Sequence, residues 1–160
     1  MRIRSAAATD EDAVAAFLDE RGSRRVARLG RLEDALSHPA LIAEGDDGRL
    51  AGVLTYVLDG GACEILTLHA SEPRGGAGTA LIAAAERLAA ERGCSRLWVL
   101  TTNDNLDALR FYQRRGFRLA ELRAGAVDEA RRTLKPEIPE DGEHGIPIRD
   151  ELILEKEVAR

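Results

Sequence analysis

Residues 67–82, Thr-Leu-His-Ala-Ser-Glu-Pro-Arg-Gly-Gly-Ala-Gly-Thr-Ala-Leu-Ile, hold the densest chemistry in the chain. The run reads as the end of a buried strand, a tight glycine loop and the first turn of a helix. Gly75, Gly76 and Gly78 leave the backbone bare, so an anion can approach several amides at once. A helix beginning near Gly78 adds free N–H groups and the positive end of its dipole. That combination is a phosphate cradle. Two common phosphate loops do not fit it. A Walker loop needs lysine directly after the last glycine, where Thr79 stands. A dinucleotide fingerprint needs Gly or Ala three residues after Gly78, where Leu81 stands. A glycine turn that serves only strand-to-helix packing explains the loop, taken alone, equally well.

The elements around the loop follow from periodicity. Arg2-Ile3-Arg4 is a short strand, and Thr9 with Asp12 resembles a capping box before a helix bearing Val14, Phe17 and Leu18 on one face. That helix stops near Arg21-Gly22. Arg24, Arg25, Arg28 and Arg31 surround Gly30 in a helical or loop-like segment, read as a solvated basic face. Leu32 to Leu36 continues as a short helix, and His38 before Pro39 is a turn residue. Ala40–Ala43, Leu50–Leu58 and Cys63–His69 read as antiparallel strands, with turn chemistry at Gly45–Gly48 and Asp59–Gly61. A helical stripe from Leu81 runs to Gly93, and Arg96–Thr101 is a buried strand type. Strand, glycine loop, helix and strand make a βαβ unit with parallel strands. A helix over Leu106–Arg115, a strand over Phe117–Leu122 and a helix over Val127–Leu134 follow. Pro136, Pro139, Gly142, Gly145 and Pro147 force an irregular segment before a last strand in Ile148–Val158.

With 160 residues, 44% apolar and 32% charged, the chain is expected to be one domain with a real core. A net charge of -5 argues against a general nucleic-acid binder. Cys63 and Cys94 fit a reducing compartment and form no metal-ligand spacing. No signal peptide opens the sequence and no apolar run spans a bilayer, so the expected setting is cytoplasmic, without membrane partners.

Two segments together are specific. Gly76-Ala77-Gly78 matches the second half of Arg/Gln-x-x-Gly-x-Gly/Ala, the pyrophosphate loop of the GNAT N-acetyltransferase superfamily. Asn105-Leu-Asp-Ala108-Leu-Arg-Phe111-Tyr112-Gln-Arg-Arg-Gly116-Phe117 resembles its second pattern, Asn-x-x-Ala-x-x-Phe-Tyr-x-x-x-Gly-Phe. It stands after the strand that follows the glycine loop, in the family's order. The resemblance covers residues 2–122 in architecture and 63–117 in motif detail. It implies a mixed α/β fold over residues 1–160 as a single domain. The central sheet would have about seven strands, with antiparallel N-terminal strands, a splayed parallel central pair and flanking helices. One departure stands out: counting back from Gly78, the Arg/Gln position falls on Pro73, with Arg74 one residue later; the alternative register gives Arg74 that role and shortens the loop by one residue. Proline offers no N–H, so backbone amides from Arg74 to Thr79 must carry most of the pyrophosphate, helped by the Arg74 guanidinium.

The same resemblance implies acetyl-CoA as co-substrate, no metal, and a primary amine of a small molecule or peptide as acceptor. The implied cofactor contacts are Leu68, His69, Arg74, Gly75, Gly76, Ala77, Gly78, Thr79, Asn105, Ala108, Phe111 and Tyr112. An ammonium must lose a proton before it attacks a thioester, and Glu64 is the expected base, directly or through water. Regular alternation places Glu64 on a face with Leu66 and Leu68, where an apolar setting raises its pKa; a solvent-facing strand carboxylate is an equal reading. A backbone N–H near Leu68 would stabilise the oxyanion, Tyr112 would protonate the departing thiolate, and Asn105 would meet the pantetheine amides. Phe111 packs the helix on the sheet. A non-catalytic CoA-binding sensor or regulatory domain is the alternative. Residues 125–151 read as a surface excursion, with His144 and Asp150 as weak acceptor-site candidates and a homodimer as a further expectation.

Overall fold

The computed structural model describes residues 1–159. Its strands are β1 (Arg2–Ser5), β2 (Arg25–Arg28), β3 (Arg31–Asp34), β4 (Ala40–Glu44), β5 (Leu50–Asp59), β6 (Ala62–Ala70), β7 (Arg96–Thr102), β8 (Arg118–Arg123) and β9 (Glu151–Glu157). Its α-helices are α1 (Glu11–Glu20), α2 (Ala77–Glu91), α3 (Leu106–Arg114) and α4 (Ala126–Thr133). Seven strands form one mixed sheet in the order β1-β4-β5-β6-β7-β9-β8, while β2 and β3 pair separately. Neighbours β6 and β7 are joined through α2, the parallel crossover that the βαβ reading requires. The chain divides into two compact units, and the division falls inside β7, between Leu97 and Trp98.

The first unit comprises Met1–Val26, Asp34–Leu97 and the C-terminal end. Here β1, β4, β5 and β6 pair antiparallel in register Ile3↔Ala43, Ile42↔Val53 and Leu54↔Leu68. On one face Ile42, Val53 and Leu66 pack against Val14, Phe17 and Leu18 of α1. The N-terminal cap differs from the expected Thr9–Asp12 box. It uses Asp10, whose carboxylate accepts from the Ala7 N–H at 2.7 Å and pairs with Arg4. Arg4 holds the Asp10 carboxyl at about 2, well below the usual range.

A bulge in β6 changes which residues share a face. Thr55 pairs with Thr67 but Tyr56 pairs with Ile65, which leaves Leu66 as the extra residue. Glu64 therefore lies opposite Val57 on the α1 face, together with Thr67 and His69, opposite Thr55 and Val53. Leu68, opposite Leu54, lies on the other face, contrary to the grouping of Glu64, Leu66 and Leu68 that regular alternation predicts.

The second unit comprises Ala27–Glu33 and Trp98–Glu157. The arginine-rich segment is a β-hairpin and not a helix or loop. β2 and β3 flank Leu29 and Gly30, both at positive φ, as a two-residue primed turn demands. Leucine is rare there, so the sequence carries no Asn-Gly signal for it. Leu32–Leu36 is correspondingly the end of β3 and a single 3-10 turn over Ala35–Ser37. Within this unit, Arg131 of α4 fastens the segment after it by donating to the carbonyls of Ile138, Pro139 and Ile148. Among the described residues no helix is long and apolar enough to cross a membrane.

Gly52 sets how closely α2 approaches β5. A Cβ there would meet Leu81 Cδ1 at 2.9 Å, the His69 carbonyl at 3.1 Å and Ala77 Cβ at 3.3 Å. Gly52→Val must push α2 outward. We expect it to lower unfolding free energy by about 1–3 kcal/mol, read as a lower urea midpoint with an unchanged m-value.

Candidate active site

In the first unit, β6 runs into an exposed loop, residues 71–76, and then into α2. Arg74 (φ 70°) and Gly76 (φ 85°) both take the left-handed conformation, turning the chain so that Gly76 becomes the N-cap of α2. No side chain caps this helix, and its first turn contains no acidic residue. The intrahelical ladder begins with the Ala80 N–H donating to Gly76 at 3.0 Å. Before it, the Gly75 N–H donates to the Glu72 carbonyl at 3.3 Å, and the N–H groups of Ala77 and Gly78 stand in the first turn, where a helix lacks its own acceptors. Nothing lies within 4 Å of a Cβ built on Gly76. A helix start of this kind, with open space at its N-cap, is positively polarised and has the chemistry that attracts an anion. Gly75, Gly76 and Thr79 are exposed, Gly78 is half-buried, and Ala77 is buried against the sheet. A cavity beside the loop, lined by Asp47, Arg49, Ser71 and Glu72, carries both signs of charge.

Along β6 the same unit presents a polar strip. Glu64 is 3% exposed, and Thr67 shares a 2.7 Å hydroxyl contact with Thr55. His69 is half-buried, its Nε2 2.6 Å from Ser23 Oγ. Burial, with the Arg21 guanidinium adding to it, pulls the His69 pKa below its usual 6.5. The sequence singled out His69 only for its position before the loop. Its partner Ser23 was missed, since the two are 46 residues apart and no local pattern links them.

In the second unit, Asn105 is the N-cap of α3, its side-chain oxygen accepting from the Ala108 N–H at 3.1 Å. The Nδ2 amide remains available to a ligand. Tyr112 is 6% exposed, packed edge-on against Phe111 and Phe117 with both ring centroids 5.2 Å away. Phe111 is half-buried, with the Arg115 guanidinium 3.6 Å over its ring. Burial pushes the Tyr112 phenol well above its ordinary value of 10, so it keeps its proton throughout the neutral range.

The sequence profile of the acetyltransferase (GNAT) family matches residues 7–117. The chain belongs to that family. Bacillus subtilis (strain 168) protein YxbD is 47% identical over 113 residues, which is 71% of this chain and 70% of YxbD. Mycothiol acetyltransferase of Clavibacter sepedonicus is 40% identical over 96 residues, 58% of this chain but only 32% of that longer enzyme. Among solved structures, a Bacillus subtilis acetyltransferase in complex with CoA superposes with a TM-score of 0.71. It covers 99% of both chains at 21% identity, a likeness of fold.

Two neighbours of the GNAT motifs have structural roles that spacing did not reveal. Asn103 donates to the Pro147 carbonyl and accepts from the N–H groups of Arg149 and Asp150. Asp104, 5% exposed, accepts from the Thr102 hydroxyl and the Glu143 N–H. Asp150, read from sequence as an acceptor-site candidate, accepts from the Gly125 N–H at 2.8 Å and is part of this fastening. His144 is exposed at φ 58°, close to Asp107 and Glu143.

Asn105 combines a cap with a possible ligand contact, and two variants separate them. Asn105→Ala should cost about 1 kcal/mol of stability through loss of the cap. Asn105→Asp keeps an accepting oxygen and should restore the melting temperature. If the Nδ2 amide also holds the pantetheine, the Asp variant still binds CoA more weakly by calorimetry.

Proposed function

We propose that this GNAT acetyltransferase moves an acetyl group from acetyl-CoA to a primary amine by direct attack, without a covalent acetyl-enzyme. The observation that supports it most is the uncapped α2 N-terminus behind Gly76, which follows directly from β6. Backbone amides from Arg74 to Thr79 would hold the diphosphate of CoA, and Arg74 adds a mobile, exposed guanidinium. Pro73 supplies no donor, so this loop leans on its main chain more than the family pattern does.

Each chemical step has a group suited to it. Deprotonation of the ammonium is assigned to the polar face of β6, with Glu64 acting directly or through water. The backbone N–H at Leu68 is assigned to the oxyanion. Tyr112 is assigned to the departing sulfur, because a phenol that retains its proton is a donor ready for use. Ala108 and Phe111 complete the pantetheine contacts from α3. The acceptor is an amine of a small molecule or a peptide; mycothiol acetyltransferase, by its name, acts on one such small molecule.

The decisive experiment is thiol release from acetyl-CoA across a broad amine panel, run beside CoA titration. Tyr112→Phe should lower kcat by about 10²-fold while leaving the CoA dissociation constant within roughly twofold. Unchanged turnover would remove the acid assignment. Gly76→Glu places a carboxylate at a left-handed position facing the diphosphate, and CoA binding should weaken by at least about 100-fold. Normal CoA affinity in that variant refutes the loop placement. Tight CoA binding with no acetylation of any amine would instead make the chain a non-catalytic CoA sensor.

A further inference from the structure

The polar strip of β6 holds two groups that can take a proton, and they are not equivalent. Glu64 lies opposite Val57 and His69 opposite Val53. Those partners stand four positions apart on β5, about 13 Å along the strand. Glu64 is 3% exposed, whereas His69 is half-buried at the strand end that enters the glycine loop. The histidine is the more accessible of the two.

The histidine is also held in a particular state. Helix α1 ends with Gly22 at φ 63°, its N–H donating to Asp19 and the Ser23 N–H donating to Leu18 at 2.9 Å. This pair of bonds is a Schellman ending, and it fixes the Ser23 backbone. The single hydroxyl proton of Ser23 is donated to the Arg21 carbonyl at 3.3 Å. With that proton on the Arg21 carbonyl, the 2.6 Å contact to His69 is assigned as Nε2–H donating to Ser23 Oγ, the tautomer deciding which group donates. In that assignment the neutral ring carries its lone pair on Nδ1, the form that accepts a proton.

We propose that His69, oriented by Ser23, is the group that first accepts the ammonium proton in acetyl transfer, ahead of the deeper Glu64. The proposal rests on the acetyltransferase reading above and names the base within it. In the step, one proton passes from nitrogen to Nδ1 and the free amine attacks the thioester carbon. The C–N bond forms as the C–S bond breaks. The second nitrogen proton replaces the one that Tyr112 gives to sulfur, and imidazolium returns its proton to water. Arg21, at the end of α1, is the charged group that acts on His69; Glu64 shares its strand face farther along, and Glu72 and Arg74 are exposed in the loop that follows. Its β5 partner, Val53, and the Thr55–Thr67 pair are uncharged. Arg21 disfavours the imidazolium, which keeps the base neutral and speeds its recovery. Ser23 is a positioning residue.

The first test is imidazole ¹⁵N–¹H NMR of the protein without ligand, with the His69 signals assigned through His69→Gln. The expected result is a neutral ring protonated at Nε2, titrating below pH 6.5. Ser23→Ala should mix in the Nδ1–H tautomer, and Ser23→Thr should restore the original state. The second test is kcat/KM against pH, with acetyl-CoA and the best amine of the panel. In the wild type, kcat/KM should rise through the His69 titration. In His69→Gln that limb should vanish and the value fall about 10²-fold. A wild-type ring mainly in the Nδ1–H form overturns the proposal. So does an acid limb that survives in His69→Gln and disappears in Glu64→Gln. Neither result touches the acetyltransferase reading, which falls only if the wild type fails to bind CoA or to acetylate any amine.

Discussion

One extra residue in β6 governs what this structure can do. With Leu66 unpaired against β5, the strand changes the side to which its residues point partway along. Before the bulge, Glu64 faces α1; beyond it, Thr67 and His69 face α1 as well, although their numbering parity differs from that of Glu64. Without the bulge, alternation would send Thr67 and His69 to the α2 face and leave Glu64 without polar company. The bulge also interrupts the regular ladder of the strand that leads to the glycine loop. A single insertion thus builds a polar strip on an otherwise apolar face.

The proposed phosphate cradle depends on packing as much as on loop sequence. Gly76 has open space around it, but the helix it caps is held by Ala77 and Leu81 pressing on Gly52. Ala77 and Leu81 are buried, so the first turn of α2 has little freedom to tilt. Arg74 pays a strain cost for its left-handed conformation, of order 1 kcal/mol for a non-glycine residue. A rigid helix start and a strained turn before it keep the donors aimed before any ligand arrives, which is what preorganised anion binding requires. The loop's glycines would do much less on a helix free to move.

Most of the fold was legible because its elements rest on local periodicity. The stripe through Leu81, Ile82, Ala85 and Ala89 and the buried run Leu97–Leu100 announce themselves, and the two motif segments fix their order. What was hidden depended on contacts distant in sequence or on rare backbone states. Leu29 at positive φ makes a hairpin that no turn propensity predicts. The bulge at Leu66 is invisible in a strand of continuous β-formers, so the face shared by Glu64 was misassigned. Gly142 looked like one breaker among several. In the structure it is bare because a Cβ would strike the Asp104 carboxylate and Ile148. Ser23 and Asn103 act across 46 residues, beyond the reach of any spacing rule.

Burial acts with opposite sign on the two titratable side chains that the proposed chemistry uses. For a histidine the charged form is the protonated one, so desolvation lowers the pKa and favours the neutral ring. For a tyrosine the charged form is the deprotonated one, so the same desolvation raises the pKa and favours the neutral phenol. One physical cause therefore leaves a base without its proton and an acid with its proton at the same pH. No dedicated ion pair is needed to set either state, and in each case the neighbouring arginine is the lesser influence. Arg21 reinforces burial at His69, whereas Arg115 opposes it at Tyr112. The histidine is the more finely held of the two: its ring is fixed by a hydrogen bond to a serine that a helix ending locks in place, while the tyrosine is fixed by two phenylalanine rings. A hydrogen bond selects a tautomer and an aromatic box does not, so the distinction follows the need. A base must present a particular nitrogen, but a phenol has a single proton to give.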